Sequence, residues 1–286
     1  MADIKAQGAD KAQGADKDYE KKILKMVKEI KERPVGRVIV EAIEKTGKQL
    51  TIRPESERPK GSFDPDRTYT GSVAATFPVN SDGKPNYAAA SPANLKRTAP
   101  DGPDKWYAGK SDNEETEDKD ERYDPALESW GNPKGGGSDV YLFFTPGAAN
   151  DKACSHGSGL CASLPDEILL HEMVHALRDM QGESNPVPTT PRYKNQEEFL
   201  ALVITNVYMS KKKGNKLLRK DYIHYGPLEP PLNTSAGFLK DDENKRILEF
   251  YSTHWQPVFG LLGDVDTLFN PFRPFKISQK PKPARQ

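Results

Sequence analysis

The 286-residue chain has only two cysteines, Cys154 and Cys161, which is too few for a disulfide-rich framework. Their spacing matches neither a zinc ribbon nor a C-x-x-C redox pair. A disulfide between them and two reduced thiols stay equally open, because the choice depends on the redox compartment. Cysteine-based zinc ribbons and C-x-x-C redox sites are therefore excluded as the basis of function.

Long apolar runs and an excess of one charge are also absent. No apolar stretch reaches the roughly 20 residues that span a bilayer. Lysine plus arginine and aspartate plus glutamate each number 42, so the net charge of zero gives no overall attraction to nucleic acid or membrane. Met1–Lys5 has no apolar signal core. We therefore expect a cytoplasmic protein, or one secreted without a Sec signal peptide.

Apolar content varies along the chain and predicts its domain organisation. Residues 5–17 repeat a polar six-residue unit, which predicts a disordered N-terminal tail over residues 1–17. Residues 18–286 are expected to form a single domain. Within it, residues 54–137 have weak periodicity and predict a long polar loop region, with one candidate strand at Thr70–Phe77.

Apolar spacing predicts helices and a few short strands. Helical spacing is present over residues 18–32, 35–45, 195–208 and 242–255. Alternation or a compact apolar run predicts strands over residues 49–53 and 138–144. This mixture predicts an α+β fold with long irregular loops.

One helical segment also carries metal-binding side chains. Residues His171–His175 read H-E-x-x-H and lie among apolar residues at helical spacing. Ser163 is predicted to start the helix as part of a capping box, with Pro165 in the first turn, and Gly182 is predicted to end it. Histidines four residues apart lie on one helix face.

This arrangement predicts a catalytic zinc site. His171 and His175 can bind one Zn²⁺, and Glu172 can act as the general base towards the attacking water. A catalytic zinc site uses three protein ligands. Arg178 and Gln181 stand where the extended H-x-x-G-x-x-H pattern would need Gly and His, so that class is excluded.

The remaining candidates for the third ligand are Glu197 and Glu198, at the start of the next predicted helix. Adjacent helical residues point about 100° apart, so both cannot face the metal. Glu198 lies at the edge of the buried face, whereas Glu197 should turn towards solvent or towards contacts around the site. Asn195 can cap the helix and Glu198 could instead be its partner in a capping box.

With these residues, the chain resembles the gluzincins, which are zinc peptidases with H-E-x-x-H and a downstream glutamate. More narrowly, it is similar to bacterial effector metallopeptidases delivered by specialised secretion systems and to clostridial neurotoxin light chains. The similarity covers about Val140–Tyr208 and makes Glu198, the second residue of a Glu-Glu pair, the third ligand. It implies a zincin-like fold, with the active-site helix backed by a small sheet, and a secreted zinc endopeptidase that cleaves a protein in a target cell.

Several points stay open at this stage. Asp179 is expected to orient an imidazole, and residues 219–225 offer donors for the oxyanion without singling one out. A zinc hydrolase of a non-protein substrate and a non-catalytic binding or adaptor protein are the rival functions. The intact Glu172 argues against the adaptor. No pattern in the sequence indicates an oligomeric state.

Overall fold

The computed structural model describes only part of the chain, namely residues 4–8, 16–58, 74–90, 135–146, 164–185, 189, 192–193, 195–214, 218–220 and 227–276. Most of the predicted polar loop region, Ser163 and both cysteines lie outside these residues.

Two helices at the N-terminal end confirm the helices predicted from apolar spacing. Helix α1 spans Asp16–Lys31, and helix α2 spans Pro34–Lys45. The buried face of α1 consists of Ile23, Val27 and Ile30. Pro34 is in the first turn of α2, where its missing N–H costs no helical hydrogen bond.

The described strands form a four-stranded sheet in the order β1 (Ile4–Ala6), β2 (Leu50–Arg53), β4 (Asp139–Phe144) and β3 (Ala74–Val79). Strands β1, β2 and β4 are parallel, whereas β3 is antiparallel to β4 and is an edge strand among the described residues. Strands β2 and β4 confirm the predicted strands. The small sheet with its surrounding helices makes this an α+β protein.

The predicted disordered tail over residues 1–17 is wrong for residues 4–6. Ile4–Ala6 pairs in parallel with Leu50–Ile52, and the N–H of Gln7 continues the ladder to the carbonyl of Ile52 at 2.9 Å. Main-chain pairing with an existing strand does not depend on apolar side chains, which is why the polar composition concealed it. Helix α1 also begins inside the predicted tail, at Asp16.

The other described elements are helical, and most of them follow strand β4. They are α3 (Tyr87–Ala90), α4 (Pro165–Gln181), α5 (Gln196–Lys213), α6 (Ser235–Phe238), α7 (Asp242–His254) and α8 (Val258–Gly263), with short 3₁₀ turns at Glu55–Glu57 and Arg273–Phe275. Helices α4, α5 and α7 confirm the predicted helices. No helix of the described segments is long and apolar enough to cross a membrane.

Helix α4 lies at the centre of the core. It contacts β3 and β4 of the sheet and also α2 and α5. Apolar side chains from α1 to the C-terminal 3₁₀ turn form one continuous buried cluster around it. Gly182 ends α4 with a positive φ of 68°, as predicted, and its N–H caps the carbonyls of Arg178 and Asp179. The helix that carries the motif is therefore held on several sides.

The start of α4 differs from the predicted capping box. The N-cap residue is Leu164, and the Glu167 carboxylate accepts a hydrogen bond from its N–H at 3.3 Å. Glu167 is completely buried, with Arg219 3.7 Å away. Burial raises the pKa of Glu167 from 4.5 to about 7, and the positive charge of Arg219 offsets only part of that rise.

This buried carboxyl group should make the stability of the protein depend on pH. Folded Glu167 keeps a proton that the unfolded chain releases between pH 4.5 and about 7, so stability falls as pH rises through that window. Glu167→Gln removes the titration. Relative to the variant, the wild type should lose on the order of 3 kcal/mol of unfolding free energy between pH 4 and pH 8. Urea denaturation of both proteins at matched pH tests this, and parallel pH profiles would contradict it.

Candidate metal centre

The three predicted ligands lie together at the contact between α4 and α5. His171 and His175 stand one turn apart on α4, and Glu198 lies in the first turn of α5. The N–H of Glu198 donates to the Asn195 side chain at 2.8 Å, so Asn195 is the predicted N-cap. The Glu198 carboxylate contacts both histidines. Because this cap fixes the start of α5, it also fixes the position of Glu198 relative to the two histidines of α4.

The candidate ligand atoms form a nearly equilateral triangle. Nε2 of His171 lies 3.1 Å from Oε2 of Glu198 and 3.2 Å from Nε2 of His175, and the third side, from His175 to Glu198, is 3.3 Å. Tetrahedral ligands at zinc distances of 2.0–2.1 Å are about 3.3 Å apart. The described residues contain one group of three or more potential ligand side chains that could hold a metal ion, and it is this one.

Electrostatics at this cluster favour a positive charge. Burial opposes protonation of His175, but the negative charge and the hydrogen bond of Glu198 raise its pKa to about 9. Burial lowers the pKa of the neighbouring His171. Burial also opposes ionisation of Glu198, yet the charge of His175 and the hydrogen bonds from both imidazoles hold its pKa far below its usual value. A largely buried carboxylate flanked by two imidazoles is thus an environment that accepts a cation.

Glu197 does not face solvent, which corrects one of the two orientations expected for it. Only 5% of its surface is exposed, and Oε1 lies 3.2 Å from Nε of Arg178 on α4. The same oxygen accepts a hydrogen bond from the N–H of Asn185 at 2.6 Å. The two acidic residues therefore point to different partners on α4, with Glu198 at the histidines and Glu197 at the arginine.

Arg178 is a buried cation that links several elements. It is 1% exposed, pairs with Glu183 at 2.8 Å and lies 5.1 Å from the ring centres of both Tyr251 and Trp255. Its contact with Glu197 joins α4 to α5 one turn after His175. The chain thus carries an ion pair directly beside the ligand cluster, which the sequence patterns did not reveal because they describe one helix at a time.

Glu172 lies outside the ligand triangle and meets the sheet instead. Its carboxylate accepts a hydrogen bond of 2.7 Å from the hydroxyl of Thr76 on β3. Sequence reasoning placed Thr76 in the candidate strand Thr70–Phe77 but missed its contact with Glu172, because strand patterns do not indicate a polar partner 96 residues away. The available signal was a hydroxyl side chain within the apolar run Ala74–Val79.

The remaining predicted site residues are placed only in part. Asp179 is buried in the last turn of α4, and its role in orienting an imidazole stays a prediction. Arg219 is buried beside Glu167 at the opposite end of α4. Residues 221–226 lie outside the described residues, so the oxyanion donor also stays a prediction.

Fold and site together define an α+β protein with a His-His-Glu cluster that could hold a metal ion. Comparisons with protein-family models, curated proteins and solved structures find no match to this chain.

Proposed function

We propose that the protein is a zinc-dependent endopeptidase with a zincin-like fold, in which His171, His175 and Glu198 hold the metal and Glu172 is the general base. The observation that carries this proposal is the convergence of three ligand atoms within 3.1–3.3 Å of one another. The adjacent Glu172 carboxylate lies outside that triangle and is free of the ligand role.

Two imidazole nitrogens and one carboxylate oxygen suit zinc well. Calcium and magnesium prefer oxygen ligands alone. Three protein ligands also leave the fourth position of a tetrahedral site open, as catalytic zinc sites require. Other transition metals can bind such donors, with copper the strongest competitor.

Bound zinc would supply Lewis acidity that polarises the scissile carbonyl and the attacking water. Glu172 takes a proton from the attacking water and later donates it to the leaving amine. His171, His175 and Glu198 keep the metal beside that carboxylate. His171 is buried and the His175 and Glu198 side chains are about 15% exposed, so water screens these interactions only in part.

The resemblance to secreted effector metallopeptidases supports a biological setting for this chemistry. On this proposal the substrate is a protein in a target cell.

Cleavage of a proteome tests the proposed function. Protein stripped with a chelator and then reloaded with zinc is incubated with a bacterial and a human cell lysate, and new N-termini are sequenced. We expect internal cleavages that appear only with the zinc-loaded protein, together with one zinc ion per chain by elemental analysis. Stoichiometric zinc without new N-termini would favour a hydrolase of non-protein substrates, and absence of zinc binding would refute the metal site.

A further inference from the structure

Thr76 occupies an unusual place in the sheet. It pairs with Leu142 of β4, and paired residues of neighbouring strands point to the same face. Leu142 and Ala74, two residues before Thr76, belong to the buried cluster around α4. Thr76 therefore places a hydroxyl on the helix-facing side of β3, where the neighbouring side chains are apolar. Thr76 is half-buried, and a polar group among apolar neighbours is stabilised by a hydrogen-bond partner.

The partner of Thr76 is Glu172. The hydroxyl oxygen lies 2.7 Å from Oε2 of the carboxylate and 3.3 Å from the backbone carbonyl of the same residue. A hydroxyl has one proton to donate, and the shorter contact is the charge-assisted one. The hydrogen bond therefore joins the edge strand directly to the side chain that follows the first histidine of the motif.

This contact has a consequence for proton transfer. A glutamate side chain loses rotamer freedom when it is held in one place, and a general base works only within hydrogen-bond reach of its proton. A carboxylate bound through one oxygen keeps the other oxygen for the proton. A donor on a strand that is paired with β4 is a firm anchor for that orientation.

We propose that Thr76 is a positioning residue that holds the Glu172 carboxylate in the orientation needed for proton transfer. This inference rests on the proposed zinc peptidase function. It assigns to β3 a role in the reaction as well as in the sheet.

Three variants separate this role from a structural one. Thr76→Val keeps the shape and removes the hydroxyl, whereas Thr76→Ser keeps the hydroxyl. Thr51→Val is the matched control, because Thr51 is a buried threonine of β2 whose hydroxyl accepts a hydrogen bond from Gln49 at 2.9 Å. All are assayed as zinc-loaded, full-length protein with a fluorescence-quenched peptide copied from the strongest cleavage site in the lysate digest.

We expect Thr76→Val to lower kcat by about 10–100-fold with KM and zinc content unchanged, the usual cost of losing an orienting partner. Thr76→Ser should restore most of kcat, and Thr51→Val should keep it. Wild-type kcat in Thr76→Val, or equal losses in the Val and Ser variants, would overturn the positioning role while leaving the proposed function intact. A wild type that cleaves nothing would overturn both.

A second measurement does not depend on activity. Thr76→Val and Glu172→Ala are combined, and urea unfolding midpoints are measured for the wild type, both single variants and the double variant. If the hydrogen bond links the two side chains, the loss caused by Thr76→Val should disappear once Glu172 is absent. Additive changes would show that the residues act independently and would overturn the proposal.

Discussion

Replacing Glu172 by glutamine should lower the rate of peptide hydrolysis by about 10²–10⁴-fold, the usual contribution of a general base, while zinc stays bound. Glutamine has nearly the same shape as glutamate but cannot accept the proton. Its amide oxygen can still accept the hydrogen bond that Thr76 donates to the carboxylate. The zinc affinity should be preserved because Glu172 lies outside the group His171, His175 and Glu198.

Elemental analysis and single-turnover rates on the same samples check this prediction. Glu29→Gln is a suitable control, because Glu29 is an exposed residue of α1 paired with Lys25 across one helical turn. The control should retain full rate and full zinc content. Loss of zinc together with activity in Glu172→Gln would instead make Glu172 a ligand or a structural residue, and the assignment of the base would be wrong.

The features that could be predicted from the sequence are those encoded within one element. The histidine helix follows from apolar residues at helical spacing and from Gly182, which adopts the positive φ that ends a helix. Asn195 caps α5 through its own side chain, three residues from Glu198. Glu198 could be named as the candidate third ligand because it lies at the edge of the apolar face of α5 and is the second residue of the Glu-Glu pair on which the resemblance depends.

The features that could not be predicted depend on contacts between distant segments. Strand β1 overlaps the start of a polar repeat. It forms because the main-chain N–H and C=O groups of β2 are available for pairing. Thr76 reaches Glu172 across 96 residues of chain, and Arg178 reaches Glu197 across 19. Apolar periodicity carries no information about such polar pairs, because each partner looks like an ordinary surface residue in its own segment.

The two adjacent acidic residues of α5 should respond to alanine in opposite ways. Glu198→Ala removes one of the three proposed ligands and should weaken zinc binding by more than about 100-fold, beyond the usual cost of losing an outer partner. The fold should survive, because Asn195 still caps α5 through the N–H of residue 198. Zinc titration against a competing chelator gives the affinity, and urea denaturation gives the stability.

Glu197→Ala should keep most of the zinc affinity and lose stability instead. It leaves the buried charge of Arg178 with Glu183 as its remaining acidic partner, at 2.8 Å. Removing one partner of a buried pair costs about 3–5 kcal/mol of unfolding free energy. Because Arg178 still pairs with Glu183, we expect a loss at the lower end of that range, near 3 kcal/mol. The affinity for zinc should change by less than about 100-fold, because Glu197 bonds to Arg178 and Asn185 and lies outside the group His171, His175 and Glu198.

The crossed pattern of these two variants is more informative than either result alone. A general weakening of the contact between α4 and α5 would lower both zinc affinity and stability in both variants. A helical register shifted by one residue would exchange the two results, so that Glu197→Ala lost the metal and Glu198→Ala lost stability. Only ligation by Glu198 with a separate Arg178–Glu197 pair makes zinc affinity fall in one variant and stability fall in the other.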